Sequence, residues 1–251
     1  MQQGSECGGA AIVADGLCRR FGTRDAVRGV SFTVATGSIT ALLGPNGAGK
    51  TTTMRMLSGG LAPTAGRAMI AGIDVGVDPD ATRAACGYLP EAANGFQHLT
   101  PLELLTFVAD ARGLTGGAAR LEIRRVAEML DLQSVLGQTL GTLSKGWRQR
   151  AWLAQALIGD PIALILDEPT DGLDPGQKIA LRRLLRTLAE SKAILMSTHI
   201  LEEAEELSDR VVLMTDGRVA ADAPTSDLAD GAGRLAAAFA RLARTTVADE
   251  S

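Results

Sequence analysis

The chain of 251 residues is 46% hydrophobic and 22% charged, which suits one large domain or two small ones with an ample core. Its 25 basic and 29 acidic residues leave a net charge of −4, and aromatic residues make up 3%, so neither a basic nucleic-acid face nor a base-stacking platform is implied. Cys7, Cys18 and Cys86 have no metal-like or disulfide-like spacing, which favours a reducing, cytosolic setting.

The first ten residues, MQQGSECGGA, hold neither a cationic start nor an apolar stretch, so no signal peptide is expected in them. Val30, Phe32 and Val34 alternate with Ser31 and Thr33, the pattern of a half-buried strand. Ile39–Leu43 predicts a short buried strand, Thr52–Ser58 a helix stopped by Gly59-Gly60, and Met69–Ile73 another strand. From Pro101 to Gly141 the pattern is wholly helical, in two successive stretches at 101–114 and 118–132. The most apolar segment, Ala151–Leu166, is interrupted by Gln155 and by Gly159-Asp160-Pro161. No window reaches the ~18 uninterrupted apolar residues of a membrane helix, so any membrane role must be borrowed from a partner. Ile162–Leu166 predicts a fully apolar strand, residues 177–190 an amphipathic helix, Ala193–Met196 a strand and residues 201–209 a helix. Residues 210–222 predict a hairpin turning at Asp216-Gly217, and residues 234–251 a last helix with a frayed tail. Short apolar strands between helices imply a buried parallel sheet. The helical stretch from about Thr100 to Gly141 interrupts that alternation and reads as an inserted subdomain.

Gly44-Pro45-Asn46-Gly47-Ala48-Gly49-Lys50-Thr51 matches the phosphate loop G-x-x-x-x-G-K-[ST], after a strand and before a helix. Glycines let successive N–H groups curl toward phosphate oxygens, and the helix start adds its positive end. Lys50 can reach the β- and γ-phosphates of a nucleoside triphosphate. Thr51 offers a hydroxyl to Mg²⁺, a hard cation that takes oxygen ligands, and Thr52 can donate on the α-phosphate side. The plainer alternative is a glycine-rich turn that happens to contain Lys-Thr.

Downstream, the strand IALIL ends in Asp167 and Glu168. That delivers Asp167 to the carboxyl end of the sheet, where ligands of such folds bind. Asp167 is expected to hold Mg²⁺ and Glu168 to orient and deprotonate an attacking water. The alternative is an ordinary acidic loop after a strand. Leu143–Arg150, LSKGWRQR, places Ser144, Lys145 and Gly146 before a helix whose first turn is cationic, although a helix start prefers negative charge. Either it is a surface turn of no consequence or it meets an anion.

The motifs GPNGAGKTT, LSKGWRQR, LILDEPTDGLDP and STH, in this order, resemble the ATP-binding subunit of an ABC transporter. The resemblance covers about Ala11 to Asp222. It implies an α/β fold with a P-loop NTPase core, a mostly parallel sheet, an N-terminal antiparallel β subdomain and an α-helical subdomain inserted at about 92–150. Residues 223–251 are then a short C-terminal helix and tail. It implies a head-to-tail dimer in which Ser144 and the Gly146 N–H complete the ATP site of the opposite subunit. Lys145 stands where the family has glycine and Trp147 where it has glutamine, which puts the fine contacts of that segment in doubt. Phe21 matches the aromatic that stacks on adenine; otherwise it is a core phenylalanine at a strand end. Glu91 stands where relatives carry a glutamine that senses Mg²⁺ and water; its carboxylate could ligate the ion or repel the γ-phosphate. Asp174 matches the residue that couples the two sites, and His199 the switch histidine on the γ-phosphate; a structural histidine is the alternative.

The resemblance therefore implies an ATPase using ATP and Mg²⁺, a second ATP-binding subunit (a homodimer), a separate multi-span permease and a peripheral place on the cytoplasmic face of the inner membrane. Nucleic acid is not an expected partner. The LSKG form resembles subunits of exporter-type permeases, including gliding-motility-associated and drug-export systems. Two alternatives stand beside it: a soluble ATPase of the same superfamily acting in translation or DNA repair, and a slow nucleotide-gated interaction module.

Overall fold

A computed structural model of the chain describes residues 10–91 and 95–228. In chain order the elements are β1 (Ala10–Phe21), β2 (Arg24–Ala35), β3 (Ser38–Leu43), α1 (Lys50–Leu57), β4 (Ala65–Ile70), β5 (Ile73–Asp74), α2 (Pro79–Ala85), β6 (Cys86–Leu89) and α3 (Pro101–Ala111). There follow α4 (Gly116–Met129), α5 (Lys145–Leu157), β7 (Ala163–Leu166), α6 (Pro175–Ala189), β8 (Ala193–Thr198), α7 (Leu201–Leu207), β9 (Arg210–Thr215), β10 (Arg218–Pro224) and α8 (Thr225–Leu228). They form an antiparallel sheet in the order β2-β1-β4-β5 and a six-stranded sheet in the order β10-β9-β3-β8-β7-β6. All neighbours in the second sheet run parallel except the β9–β10 hairpin. The fold is thus mixed α/β, as expected.

The apolar strands of the large sheet are buried on both faces, which is why they read as continuous runs rather than alternations. Ile39, Ala41 and Leu43 of β3, with Leu164 and Leu166 of β7, face a core shared with α3 to α7. Leu42, Ile165 and Leu195 face the other way, onto α1 and the antiparallel sheet, where Ile12, Leu17, Val30 and Val34 close the second core. Each fully buried Ile or Leu contributes about 1.5–3 kcal/mol, so both faces are held by many such increments.

Register aligns the strand ends. Leu43 pairs with Thr198, Leu166 with Met196 and Leu89 with Leu166. The residues that follow, Gly44, His199, Asp167 and Pro90-Glu91, therefore emerge along one edge, the carboxyl edge where α/β sheets bind ligands. Asp167 N–H donates to the Leu89 carbonyl at 2.9 Å, extending the β6–β7 pairing to the acid itself.

The helical segment is built from α3, α4 and α5. A capping box starts α3: Thr100 and Glu103 satisfy each other's backbone N–H groups, with Pro101 at the first helical position. The Arg112 guanidinium donates to the carbonyls of Ala84 and Cys86 at 3.3 and 2.8 Å, pinning α3 to the end of α2 and to β6. Gly87 sits inside β6 because any Cβ there would collide with the Ala156 carbonyl of α5.

The two helical stretches expected between Pro101 and Gly141 form as α3 and α4, and after Leu130 the chain turns at Asp131, whose φ is 55°. Residues 131–139 are turns, followed by a single 3₁₀ turn at Leu140–Thr142. The predicted strand Met69–Ile73 is split by a turn at Ala71 and Gly72, with φ of 51° and 78°. The hairpin turn at Asp216-Gly217 forms as expected, both residues having positive φ. The predicted final helix and tail at 234–251 lie outside the described residues, as does 92–94 at the start of the predicted helical subdomain.

Candidate functional site

The phosphate loop begins where β3 ends. Its last glycine, Gly49, is the N-cap of α1 at φ 99°, a backbone state that L side chains avoid, and a Cβ there would lie 2.7 Å from the Ala26 carbonyl. Thr53 Oγ1 donates to the Gly49 carbonyl at 2.9 Å and fixes the first turn. The buried Lys50 ammonium donates to the carbonyls of Gly44 at 2.7 Å and Pro45 at 3.2 Å. Burial draws its pKa below the ordinary lysine value, against the charges of Glu168, Asp167 and Glu91, which favour the ammonium. Ala48 is buried, and its carbonyl accepts from Gly217 N–H at 3.1 Å, so the β9–β10 turn braces the loop.

Opposite, β7 and β8 present their acids through one hydroxyl. Ser197 Oγ donates to Asp167 Oδ1 at 2.5 Å and accepts from Glu168 N–H at 2.9 Å. Ser197 and Asp167 are fully buried. Asp167 Oδ2 is buried without a partner. A carboxylate oxygen in that condition is costly, and a hard cation would satisfy it. Thr51, half-buried on the same cleft, offers a second oxygen of the right kind. The donor set is therefore all oxygen and few in number, which fits Mg²⁺ shared with phosphates rather than a protein-only cage. Among the described residues no cluster of three or more His, Cys, Asp or Glu forms such a cage.

Glu168 has φ 49°, an uncommon left-handed conformation for a non-glycine residue. It turns the side chain back over the strand end, where His199 Nδ1 lies 3.0 and 3.1 Å from its two oxygens. A carboxylate can only accept, so Nδ1 carries the proton and Nε2 points elsewhere.

A cleft of about 500 Å³ opens between the phosphate loop and Glu168, with Asp167 buried behind it and neither Asp167 nor His199 among its lining residues. Phe21, Asn46, Gly47, Gly49, Lys50, Thr51, Thr52, Glu91 and Glu168 line it, together with Arg24 and Ala26. Phe21 is 47% exposed, so it is not a core residue, and the Arg19 guanidinium covers its ring at 4.7 Å from the centroid. Arg24 was not foreseen from sequence; its signal is the register pair Phe21–Arg24 across the β1–β2 hairpin. Ser197 was quoted with the STH motif but given no role, because the strand was read as ending at Met196 whereas β8 runs to Thr198 and carries the hydroxyl to the two acids.

Ser144, Gly146 and Asp174 do not line this cleft. Ser144 is the N-cap of α5, and its Oγ accepts from Trp147 N–H at 3.4 Å. Gly146 is buried against Gln177, and Asp174 caps α6 by accepting from Gln177 N–H at 2.9 Å. Lys145 Nζ lies 2.8 Å from Asp171 Oδ2, and that bond holds the Asp171 carboxyl below its usual range. Trp147 is stacked under Arg150 at 5.1 Å. The cationic helix start thus contributes no lining residue to the chain's own phosphate-loop cleft.

Residues 27–171 match the ABC transporter family. The chain is 38% identical over 205 residues to an uncharacterized ABC transporter ATP-binding protein of Bacillus subtilis (strain 168), covering 82% of this chain and 68% of that one. It is 40% identical over 213 residues to the Nod factor export ATP-binding protein I of Rhizobium sp. (strain N33), covering 84% and 70%. Its fold superimposes on a solved ATP-binding subunit of an ABC transporter with a TM-score of 0.84 and 29% identity, over 93% of this chain and 99% of the other.

Proposed function

The chain belongs to the ABC transporter family as an ATP-binding domain, and from that premise we propose that it is the ATP-hydrolysing subunit of an exporter. It binds MgATP in the cleft between Phe21 and Glu168, as one half of a head-to-tail homodimer, and its closure drives a separate membrane permease. The observation that carries this reading is the grouping at one sheet edge of Lys50, the partnerless Asp167 Oδ2 and the Glu168–His199 pair. Export is supported by the relative that is named for it.

Phosphoryl transfer is mostly positioning and charge neutralisation, and each residue has a task. Phe21 offers its ring to the adenine. Lys50 exchanges the carbonyls of Gly44 and Pro45 for phosphate oxygens. Asp167 Oδ2 and the Thr51 hydroxyl would hold Mg²⁺, which when bound neutralises charge on the phosphates. Glu168 accepts the proton of the attacking water, and His199 fixes the carboxylate from behind. Ser144 and the Gly146 N–H, which line no part of their own cleft, serve the neighbour's triphosphate at the positive end of α5. Glu168 and His199 standing together favour turnover over a nucleotide-gated module.

The permease docks on the groove of about 770 Å³ between α2, β6, α3 and α5. Trp152 lines it with its Nε1 buried and unpartnered, and beside the groove the exposed Phe96 stacks on Trp152 at 6.2 Å and meets the exposed Phe107 at 6.0 Å. Such an apolar patch with an unsatisfied donor suits a protein partner. No helix among the described residues is long and apolar enough to cross a membrane. With the permease as its anchor, the subunit sits peripherally on the cytoplasmic face of the inner membrane.

Glu168→Gln tests the assignment. It keeps the size of the side chain and removes the base, so turnover should fall ~10²–10⁴-fold while ATP still binds. With ATP and Mg²⁺ the variant should elute from gel filtration at the dimer mass, and with ADP at the monomer mass. Wild-type turnover in this variant would remove Glu168 from the role of base.

A further inference from the structure

Glu203 belongs to the first turn of the short helix α7 and is 2% exposed, yet it touches none of the groups that line the cleft. Its carboxylate is spoken for at both oxygens. Oε2 accepts from Thr170 Oγ1 at 2.6 Å and from Thr198 Oγ1 at 3.1 Å. Oε1 accepts from Lys178 Nζ at 2.8 Å. Thr198 Oγ1 in turn accepts from Ile200 N–H at 3.0 Å.

The donors come from three separate segments. Thr170 lies two residues after Glu168, Thr198 directly before His199, and Lys178 in the opening turn of α6, the helix that Asp174 caps. Thr170 and Thr198 are buried at 1% and 0% exposure, so neither hydroxyl can turn to solvent instead. Burial pushes the Glu203 carboxyl up, but the bonds and charge of Lys178 and the bonds of the two threonines outweigh it and hold it ionised below its usual range. A buried ion pair is a poor source of net stability, since desolvation offsets most of the attraction. What a carboxylate here supplies is geometry: three hydroxyl or ammonium donors, from the loop after β7, the end of β8 and the start of α6, meeting at one point.

We infer that Glu203 is a positioning residue for hydrolysis, a clasp that sets the loop after Glu168 and the loop carrying His199 at their mutual distance. This rests on the ATPase reading above. The Glu168–His199 contact at 3.0 Å joins the ends of two loops, and Ser197 Oγ joins the strand ends beneath them through Asp167 Oδ1 and the Glu168 N–H. Beyond these, Thr170–Glu203–Thr198 ties the same two segments a third time, from the side of α7 and α6. Glutamine at 203 cannot accept at both oxygens, so it must turn an NH₂ toward either the threonines or the lysine. Toward Lys178 the NH₂ loses the bond to the ammonium; toward the threonines it reverses both hydroxyls, of which Thr198 Oγ1 already accepts from Ile200 N–H, and in either case the charge that gathers the donors is gone, so the clasp loosens. A displacement of this size costs catalysis rather than binding, because the phosphate loop, which holds the nucleotide, is on the other wall of the cleft.

Two measurements on the full chain test this. The first is ATP turnover per ATP-binding site of Glu203→Gln, with affinity for ATP measured alongside. Turnover should fall ~10–10²-fold, as for a group displaced by about 1 Å, with affinity for ATP unchanged. The second is the imidazole proton spectrum. The chain has two histidines, His98 and His199, so each can be followed singly. Glu203→Gln should move the His199 resonances and leave those of His98 in place. Thr170→Val should reproduce both effects, and Thr170→Ser, which keeps the hydroxyl, should reproduce neither; this pair decides the matter if Glu203→Gln does not fold. Retained turnover per site, or His199 resonances that stay in place, overturns the clasp. A wild-type chain that hydrolyses ATP no faster than Glu168→Gln would overturn the ATPase reading instead, and the His199 resonances would still decide for or against Glu203.

Discussion

Replacing Ser197 by alanine removes one oxygen atom and strands two groups. Ser197 Oγ is fully buried, donates to Asp167 Oδ1 at 2.5 Å and accepts from Glu168 N–H at 2.9 Å. Asp167 Oδ2 already lacks a partner, so in Ser197→Ala both oxygens of a buried carboxylate are unpaired beside a buried, unpaired N–H. Each of the two newly stranded groups costs about 1–3 kcal/mol, so the sum is about 2–6 kcal/mol. In a chain of this size that lowers the melting temperature by roughly 4–24 °C. Thermal unfolding followed by circular dichroism, without nucleotide, measures it. A cation on Asp167 Oδ2 is available to both forms, so MgATP should raise both melting temperatures and leave a difference between them. A change under about 0.5 kcal/mol, within the range of surface substitutions, would show that the Asp167–Ser197–Glu168 bridge does not organise this sheet edge.

Three further outcomes follow from the site. Lys50→Ala removes a charge-assisted contact of about 1.5–3 kcal/mol, so ATP should bind about tenfold to 150-fold more weakly by calorimetry, and equal affinity would refute the phosphate-loop assignment. Ser144→Arg should abolish turnover while leaving ATP affinity of the isolated monomer unchanged, because Ser144 lies outside its own cleft; undiminished turnover would count against a site completed by the neighbour. The third concerns pH. Burial depresses the Lys50 pKa in the ligand-free chain, so at neutral pH holding the ammonium there costs stability, a cost that fades as pH rises through the depressed value. Phosphates favour the ammonium, so on the alkaline side ATP binding should take up protons and weaken with rising pH below the ordinary lysine range. Calorimetry in two buffers of different ionisation enthalpy reads this directly, and equal heats would contradict it.

The parts of the fold that were legible are those whose signal is contiguous. The phosphate loop, the strand Ile162–Leu166 with its two acids and the Asp216-Gly217 hairpin each declare themselves within a dozen residues. β1 did not, because Asp15-Gly16 and Arg19-Arg20 interrupt its pattern, and the structure shows register shifts at those places. β6 has four residues with a glycine inside, chosen for contact with α5 rather than for strand propensity. α2 carried readable signs, Asp78 as cap and Pro79 at the first position, but is only seven residues long. The helical reading of 130–139 ran too far because its leucines are buried without being periodic: Leu130, Leu132 and Val135 pack into the core from turns. Within the site, residues that chemistry marks were found by type and order. Ser197 was given no role, and Arg24 and Glu203 were not found, since nothing local separates Glu203 from its neighbours Glu202 and Glu206; only the fold brings three donors to it.

The ion pair between Lys145 and Asp171 joins two places that would otherwise act independently. Asp171 N–H donates to the Glu168 carbonyl at 3.1 Å, so the loop behind the reactive carboxylate continues into the start of α5. In the proposed dimer, one end of this link serves this chain's ATP and the other serves its neighbour's. Both partners of the pair are about half exposed, and such a bond is worth about 0.2–1 kcal/mol. The cooperativity it can transmit between sites is therefore at most about fivefold in an equilibrium constant, enough to bias the second event by the first and too little to lock them together. Dissolved ions screen such a pair, so the ionic strength of the surroundings acts as a dial on how closely the two halves keep time.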